Sequence, residues 1–501
     1  MTGTFHIKTF GCQMNEHDSE RLAGLLVADG MAPVDDPERA DVVVLNTCCV
    51  RENADNRLYG TLGHLKSLKA RRPQMQIAVG GCLAQKDRES MRQRAPQVDL
   101  VFGTHNLIRA PELLRRVRRD GPLVEVLDAP VDALLDPSDE LQASALGARR
   151  ESPWSAWVSI QTGCDNSCAF CIVPSVRGRE VSRSLGDIVQ EVAALGSAGV
   201  SEVTLLGQNV NSYGRDLTRR RPLFASLLRE VGAVDGIERV RFTSPHPKDL
   251  RPETIEAMAE TPAVCEQLHL PMQSGSDPVL KAMRRGYTVD RYLERLADAR
   301  NAIPGLAVTT DLIVGFPGES DEDAEQTLEV VAEARFDSAY TFIFSPRPGT
   351  RAAEMSDRFV PAEVIAERFE RLKSVVDRSA LACNAERVGA TEEVLVEGTS
   401  KRDPDSMTGR TRQGKLVHFA SRTERSPEPA AAPAAAPASA ATRTQPSPAP
   451  PPGSYARVRI TGAAPHFLRA ELLDLVSAPR HRLRIPVRPV AVPPRVHAAS
   501  S

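Results

Sequence analysis

Three cysteines within eight residues, Cys164, Cys168 and Cys171, have the spacing CxxxCxxC. A short loop supplying three thiolates can hold three irons of a 4Fe–4S cluster and leave the fourth iron without a protein ligand. An open iron of that kind chelates the amino and carboxylate groups of S-adenosylmethionine. One electron from the cluster then breaks a carbon–sulfur bond and leaves a 5′-deoxyadenosyl radical. A zinc knuckle needs four protein ligands, and no fourth Cys or His lies close to the motif. The spacing therefore favours radical S-adenosylmethionine chemistry over a structural zinc.

A second set is dispersed. Cys12, Cys48 and Cys82 each follow an apolar stretch that reads as a strand: KTFGC, VVVLNTC and IAVGGC. Parallel strands end on one sheet edge, so the three thiols are expected to converge there and hold a second cluster with one open iron. Gly11 and the Gly80–Gly81 pair allow tight turns at that edge. The competing reading is three unrelated buried thiols. Cys48 and Cys49 are neighbours, which a strand points to opposite faces, and spacing does not say which is the ligand. Cys265, in an apolar strand, and Cys383, in a helix, read as packing residues. Seven of the nine cysteines fall in the first 171 residues, a clustering that suits metal or redox chemistry rather than structural disulfides.

The elements that must place these loops are α/β. Strand–helix alternation to about residue 118 predicts an N-terminal α/β parallel-sheet domain (1–118). Residues 119–152 carry few signals and read as a linker. A second series begins at WVSIQTGC and repeats about six βα units, which predicts a partial (β/α) barrel over 153–388 with the CxxxCxxC loop at its C-terminal face. Short strands over 389–477 predict a small β-barrel of the OB-like kind. A Pro/Ala-rich insert, 426–452, splits it, and an Arg/Pro-rich tail, 478–501, reads as disordered. Three loops at strand ends of the central series offer polar or glycine-rich contacts to a cofactor: Gly207, Gln208 and Asn209; Ser274 and Gly275; and Gly315.

Composition fits a soluble globular protein, with 41% hydrophobic and 26% charged residues. No apolar run reaches the length of a signal peptide or a membrane span, so a cytoplasmic location with no membrane partner is expected. The net charge of −2 is uneven: residues 401–425 hold seven Lys/Arg against three acidic residues, and 457–495 hold eight Arg against two. A basic C-terminal module suggests a polyanion partner.

These residues together resemble the methylthiotransferase family, and within it the tRNA-modifying, MiaB-type branch. The resemblance covers residues 5–425 and 453–476. It rests on Thr9-Phe10-Gly11-Cys12-Gln13-Met14-Asn15-Glu16, on Asn46-Thr47-Cys48-Cys49-Val50-Arg51-Glu52, and on Glu397-Gly398-Thr399-Ser400-Lys401 with Gly409-Arg410-Thr411, which are similar to the branch's RNA-binding TRAM barrel. The Pro/Ala insert departs from the family pattern.

The resemblance implies that Cys48 rather than Cys49 is the ligand, and that two 4Fe–4S clusters and S-adenosylmethionine are the cofactors. One S-adenosylmethionine would methylate a sulfur on the Cys12/Cys48/Cys82 cluster, and a second would be cleaved at the Cys164/Cys168/Cys171 cluster. The methylthio group would pass to carbon 2 of an N6-isopentenylated adenosine beside the tRNA anticodon. An electron donor such as flavodoxin or ferredoxin and a monomeric state are further expectations. Competing substrates are a threonylcarbamoyl-adenosine in tRNA or a ribosomal protein, and a non-catalytic iron–sulfur RNA-binding protein is the rival of another class. Replacing Cys12, Cys48 and Cys82 together with Ala should remove about half of the iron. Cofactor cleavage should persist and methylthio transfer should vanish, which iron counting and 5′-deoxyadenosine assay would check.

Overall fold

The computed structural model describes residues 3–49, 52–127, 148–150, 152–218, 221–420 and 449–480. Most of the expected linker (128–147), most of the Pro/Ala insert (426–448) and the tail from 481 lie outside the described residues.

The N-terminal sheet has six parallel strands: β1 (Gly3–Phe10), β2 (Met31–Pro33), β3 (Val42–Thr47), β4 (Gln76–Gly81), β5 (Leu100–Phe102) and β6 (Leu123–Glu125). Their order is β2-β1-β3-β4-β5-β6. Every residue of β3 and β4 is buried, as helices on both faces of a parallel sheet require. Alternate residues serve opposite cores: Val43, Leu45, Ile77 and Val79 pack in one cluster, and Val42, Val44 and Ala78 in the other. β2, β5 and β6 are three-residue strands without a sequence signal of their own. β6 extends this sheet into the stretch that reads as linker from 119, because its pairing with β5 is set by the sheet and not by its own pattern.

The chain continues through β7 (Ser155–Ser159), the short antiparallel pair β8 (Gln161–Thr162) and β9 (Val181–Ser182), then β10 (Glu202–Leu206), β11 (Arg239–Phe242), β12 (Gln267–His269), β13 (Ala307–Val314) and β14 (Ser338–Ile343). β7, β10 and β11 form one parallel sheet, and β12, β13 and β14 another. Parallel bridging of Val240 to Val264 links the two into one arc around a common core. The result is the partial parallel barrel expected from the repeated βα pattern.

The C-terminal strands β15 (Thr391–Thr399), β16 (Ser406–Thr411), β17 (Leu416–Ala420), β18 (Tyr455–Ala464) and β19 (Phe467–Ser477) close into a barrel in the order β15-β16-β17-β19-β18. This barrel docks where the central strands begin. Arg239, at the start of β11, donates to the Arg410 and Glu393 carbonyls at 2.8 and 3.2 Å and lies over the Tyr455 ring at 4.9 Å. Arg241 donates to the Arg412 and Thr411 carbonyls at 2.8 and 2.9 Å, and the Tyr455 hydroxyl reaches Ser201, just before β10. No helix among the described residues is long and apolar enough to cross a membrane.

Arg239 is buried to 1% side-chain exposure, whereas its acid partner Glu393 keeps 39%. Arg239→Ala therefore leaves carbonyls unpaired at the joint rather than a buried carboxylate. It should cost roughly 2 kcal/mol, read as a lower urea midpoint, with earlier proteolytic release of the barrel.

Candidate functional site

The register of the N-terminal sheet pairs Phe10 with Thr47 and Thr47 with Gly81, so β1, β3 and β4 end level. Cys12 caps the helix Gln13–Ala28, Cys48 directly follows β3, and Cys82 opens the helix Cys82–Asp87. Two glycines make the approach possible. A Cβ on Gly11 would lie 2.8 Å from Cys48 Cβ, and one on Gly81, at φ +92°, 2.5 Å from the Thr47 carbonyl. The buried Asn15 fixes the helix to the strand end: it donates to the Thr47 carbonyl at 3.2 Å, and Asn46 donates back to its own carbonyl at 2.7 Å.

The structure brings the three expected thiols together and adds Cys49. A hydrogen bond from Cys48 holds Cys12 at about 5 despite burial; the Arg177 charge and the backbone N–H groups of Asn15 and Met14 act in the same sense. A bond from Cys49 brings Cys82 to about 7, again against burial and with Arg177 assisting. Cys49, the donor in that pair and itself buried, is pushed far up. The thiols are thus drawn into two pairs. Among the described residues no three His, Cys, Asp or Glu side chains surround a single metal-ion position. A four-iron cluster is wider than one ion, and soft thiolates arriving on one edge are the donors it uses.

The second loop lies between β8 and the helix Val173–Arg177. Gly163 (φ +76°) turns so tightly that a Cβ would lie 1.8 Å from the Arg179 carbonyl, and Cys164 N–H donates to the Gly178 carbonyl at 3.1 Å. Burial pushes Cys164 up to about 11 and Cys171 up to about 12, and the neighbouring Cys168 raises both further. Such thiols lose their protons to a metal rather than to water. Arg285, buried, donates to Cys168 Sγ at 3.3 Å and to the Pro271 carbonyl at 3.3 Å. Sequence reading missed Arg285 and Arg177; a basic residue six positions after Cys171 was the available sign of the latter.

The three strand-end loops differ in their surroundings. Gly207 packs on Gln161, whose amide donates to the Asn209 carbonyl at 2.8 Å, so this loop adjoins the approach to Cys164. Gln208 Oε1 and Asn209 Oδ1 are buried without a hydrogen-bond partner. Ser274 and Gly275 contact Thr327 of the helix Asp321–Ala334, at 3.3 and 3.0 Å. Gly315 (φ +74°) gives its N–H to the Glu319 carboxylate at 3.2 Å, under Ile365.

Residues 158–331 match the radical SAM superfamily, and residues 4–103 match a family described as "Uncharacterized protein family UPF0004". In fold the chain is similar to a radical S-adenosylmethionine methyltransferase, TsrM, from Kitasatospora setae. That likeness has a TM-score of 0.51 at 12% identity over 70% of this chain and 75% of that one. The fold and the CxxxCxxC loop define a radical S-adenosylmethionine protein.

Closer relatives narrow the class. The chain is 52% identical over 477 residues to the tRNA-2-methylthio-N(6)-dimethylallyladenosine synthase of Nocardia farcinica, covering 93% of this chain and 88% of the relative. It is 54% identical over 425 residues to that of Corynebacterium diphtheriae, covering 83% and 80%. The chain belongs to the tRNA-2-methylthio-N(6)-dimethylallyladenosine synthase family.

Two buried histidines near the cysteine loops give the protein a pH signature. Burial, reinforced by Arg21, pushes His17 down to about 3. Burial, reinforced by Arg285, pushes His246 down to about 2. Both stay neutral when folded but take up a proton near pH 6.5 when unfolded. Their contribution is present above that value and is lost as pH falls toward the folded values. Between pH 7 and 5.5 each should cost about 1 kcal/mol of stability. Urea titrations at the two pH values would show it, and His17→Gln should reduce the difference.

Proposed function

We propose that this enzyme transfers a methylthio group to carbon 2 of N6-dimethylallyladenosine beside the anticodon of tRNA. The observation that carries the reading is the pair of cysteine loops. One gathers at the strand ends of a six-stranded sheet, the other beside a partial barrel, and the segment Ile172–Gly178 joins them. In this reading Cys164, Cys168 and Cys171 hold the cluster that binds S-adenosylmethionine, and Cys12, Cys48 and Cys82 hold the auxiliary cluster. When bound, these groups supply reductive cleavage of the cofactor and the sulfur to be transferred.

The chain itself keeps the two chemistries apart and oriented. Arg285 fixes Cys168. Gln208 Oε1 and Asn209 Oδ1 offer acceptors to the cofactor's polar groups. Ser274, Gly275 and Gly315 are further cofactor contacts in this reading, their loops held by Thr327 and Glu319. Asn15 and Gly81 hold the auxiliary loops close. The small C-terminal barrel takes the tRNA, an electron donor such as flavodoxin or ferredoxin supplies the electron, and the enzyme acts in the cytoplasm as a monomer.

Nucleoside analysis of tRNA from a strain lacking the gene tests the reading. The 2-methylthio nucleoside should disappear and N6-dimethylallyladenosine should accumulate, with recovery on re-expression but not on re-expression of the Cys164→Ala form. Unchanged 2-methylthio nucleoside would refute it.

A further inference from the structure

The turn that leaves the CxxxCxxC loop reaches into the other cysteine site. Ile172 and Val176 pack in the core cluster that contains Cys49 and Cys82. The Val176 carbonyl accepts Thr104 Oγ1 at 2.7 Å, and the Gly178 carbonyl accepts Cys164 N–H at 3.1 Å. Between these two anchors stands Arg177. Its side chain keeps 8% of its exposure, and it donates to Asp18, equally buried, at 2.8 Å. The same guanidinium acts on both Cys12 and Cys82.

A buried cation needs compensating charge. Asp18 supplies one carboxylate, which Arg21 shares at 3.7 Å, and the thiols nearby add negative charge when ionised. Conversely, a cluster held by three thiolates gains negative charge on reduction, and in a dry site a fixed neighbouring cation favours that gain.

We infer that Arg177 is a positioning residue of the auxiliary site: a fixed countercharge that keeps the reduction potential of a Cys12/Cys48/Cys82 cluster up and locks that site in register with the Cys164 loop. A guanidinium suits the task because it stays charged when buried and its planar fork holds a carboxylate in fixed geometry while the charge acts on the thiols. Asp18 opposes it, so the two side chains should move the potential in opposite senses. The inference rests on the assignment of the first three cysteines as cluster ligands.

The test uses the full chain with Cys164, Cys168 and Cys171 replaced by Ala, anaerobically reconstituted, so that only the auxiliary cluster is seen. Iron is counted first, and the midpoint potential is then read by spectroscopic redox titration. Arg177→Gln should lower the potential, Arg177→Lys should leave it near the parent value, and Asp18→Asn should raise it. Iron lost in Arg177→Gln but kept in Arg177→Lys also supports the countercharge. Equal potentials in the Gln and Lys forms, iron lost in both, or a downward shift in Asp18→Asn overturns it. A parent protein without iron refutes the ligand assignment itself, a failure visible before any change at Arg177.

Discussion

Three cysteines separated by dozens of residues can share one inorganic group only if the strands before them stop at the same level. A parallel sheet meets that demand through register alone. β1, β3 and β4 lie side by side and finish level, so Cys12, Cys48 and Cys82 emerge on one edge. The backbone must then bend without side chains in the way, which is why Gly11 and Gly81 sit where a Cβ would strike Cys48 or Thr47. A slip of one residue in β3 would turn Cys48 from the edge site to the other face of the sheet.

The two cysteine loops are not independent lodgers in separate domains. The helix Val173–Arg177 follows one motif and packs against the loops of the other. The Gly178 carbonyl that caps this helix accepts the Cys164 N–H, while the buried Arg177 at its end pairs with Asp18 and its charge favours the ionised forms of Cys12 and Cys82. Electrostatics separate the two sites. Arginine and thiol hydrogen bonds favour the ionised form of Cys12 and Cys82, whereas burial disfavours it at Cys164 and Cys171. The loops thus differ in charge preference although each offers three sulfurs.

The small barrel occupies the edge where the central strands begin, opposite the edge where the cysteine loops lie. A macromolecular substrate long enough to touch both suits that separation better than a small one. Three of the barrel's arginines are already committed: Arg410 pairs with Glu397, Arg457 with Asp474 and Arg412 with Glu266. Residues 421–448, between β17 and β18, lie outside the described residues, and the strands on either side pair as a closed barrel.

The sequence by itself determined the chemistry and most of the architecture. CxxxCxxC is a local pattern, and the apolar runs of β3 and β4 announce a buried parallel sheet without knowledge of their neighbours. Three-residue strands such as β6 left no such trace, because a strand that short owes its pairing to the sheet it joins. Only the tertiary structure decided that Cys49 pairs with Cys82 while Cys48 pairs with Cys12. It also decided that Arg285, an ordinary basic residue in the sequence, donates to Cys168 and that Arg177 is buried against Asp18 with its charge acting on Cys12 and Cys82. Spacing fixes which residues can meet along one loop or strand. Which charge is buried against which thiol depends on how two layers of the fold are pressed together, and no local pattern encodes that.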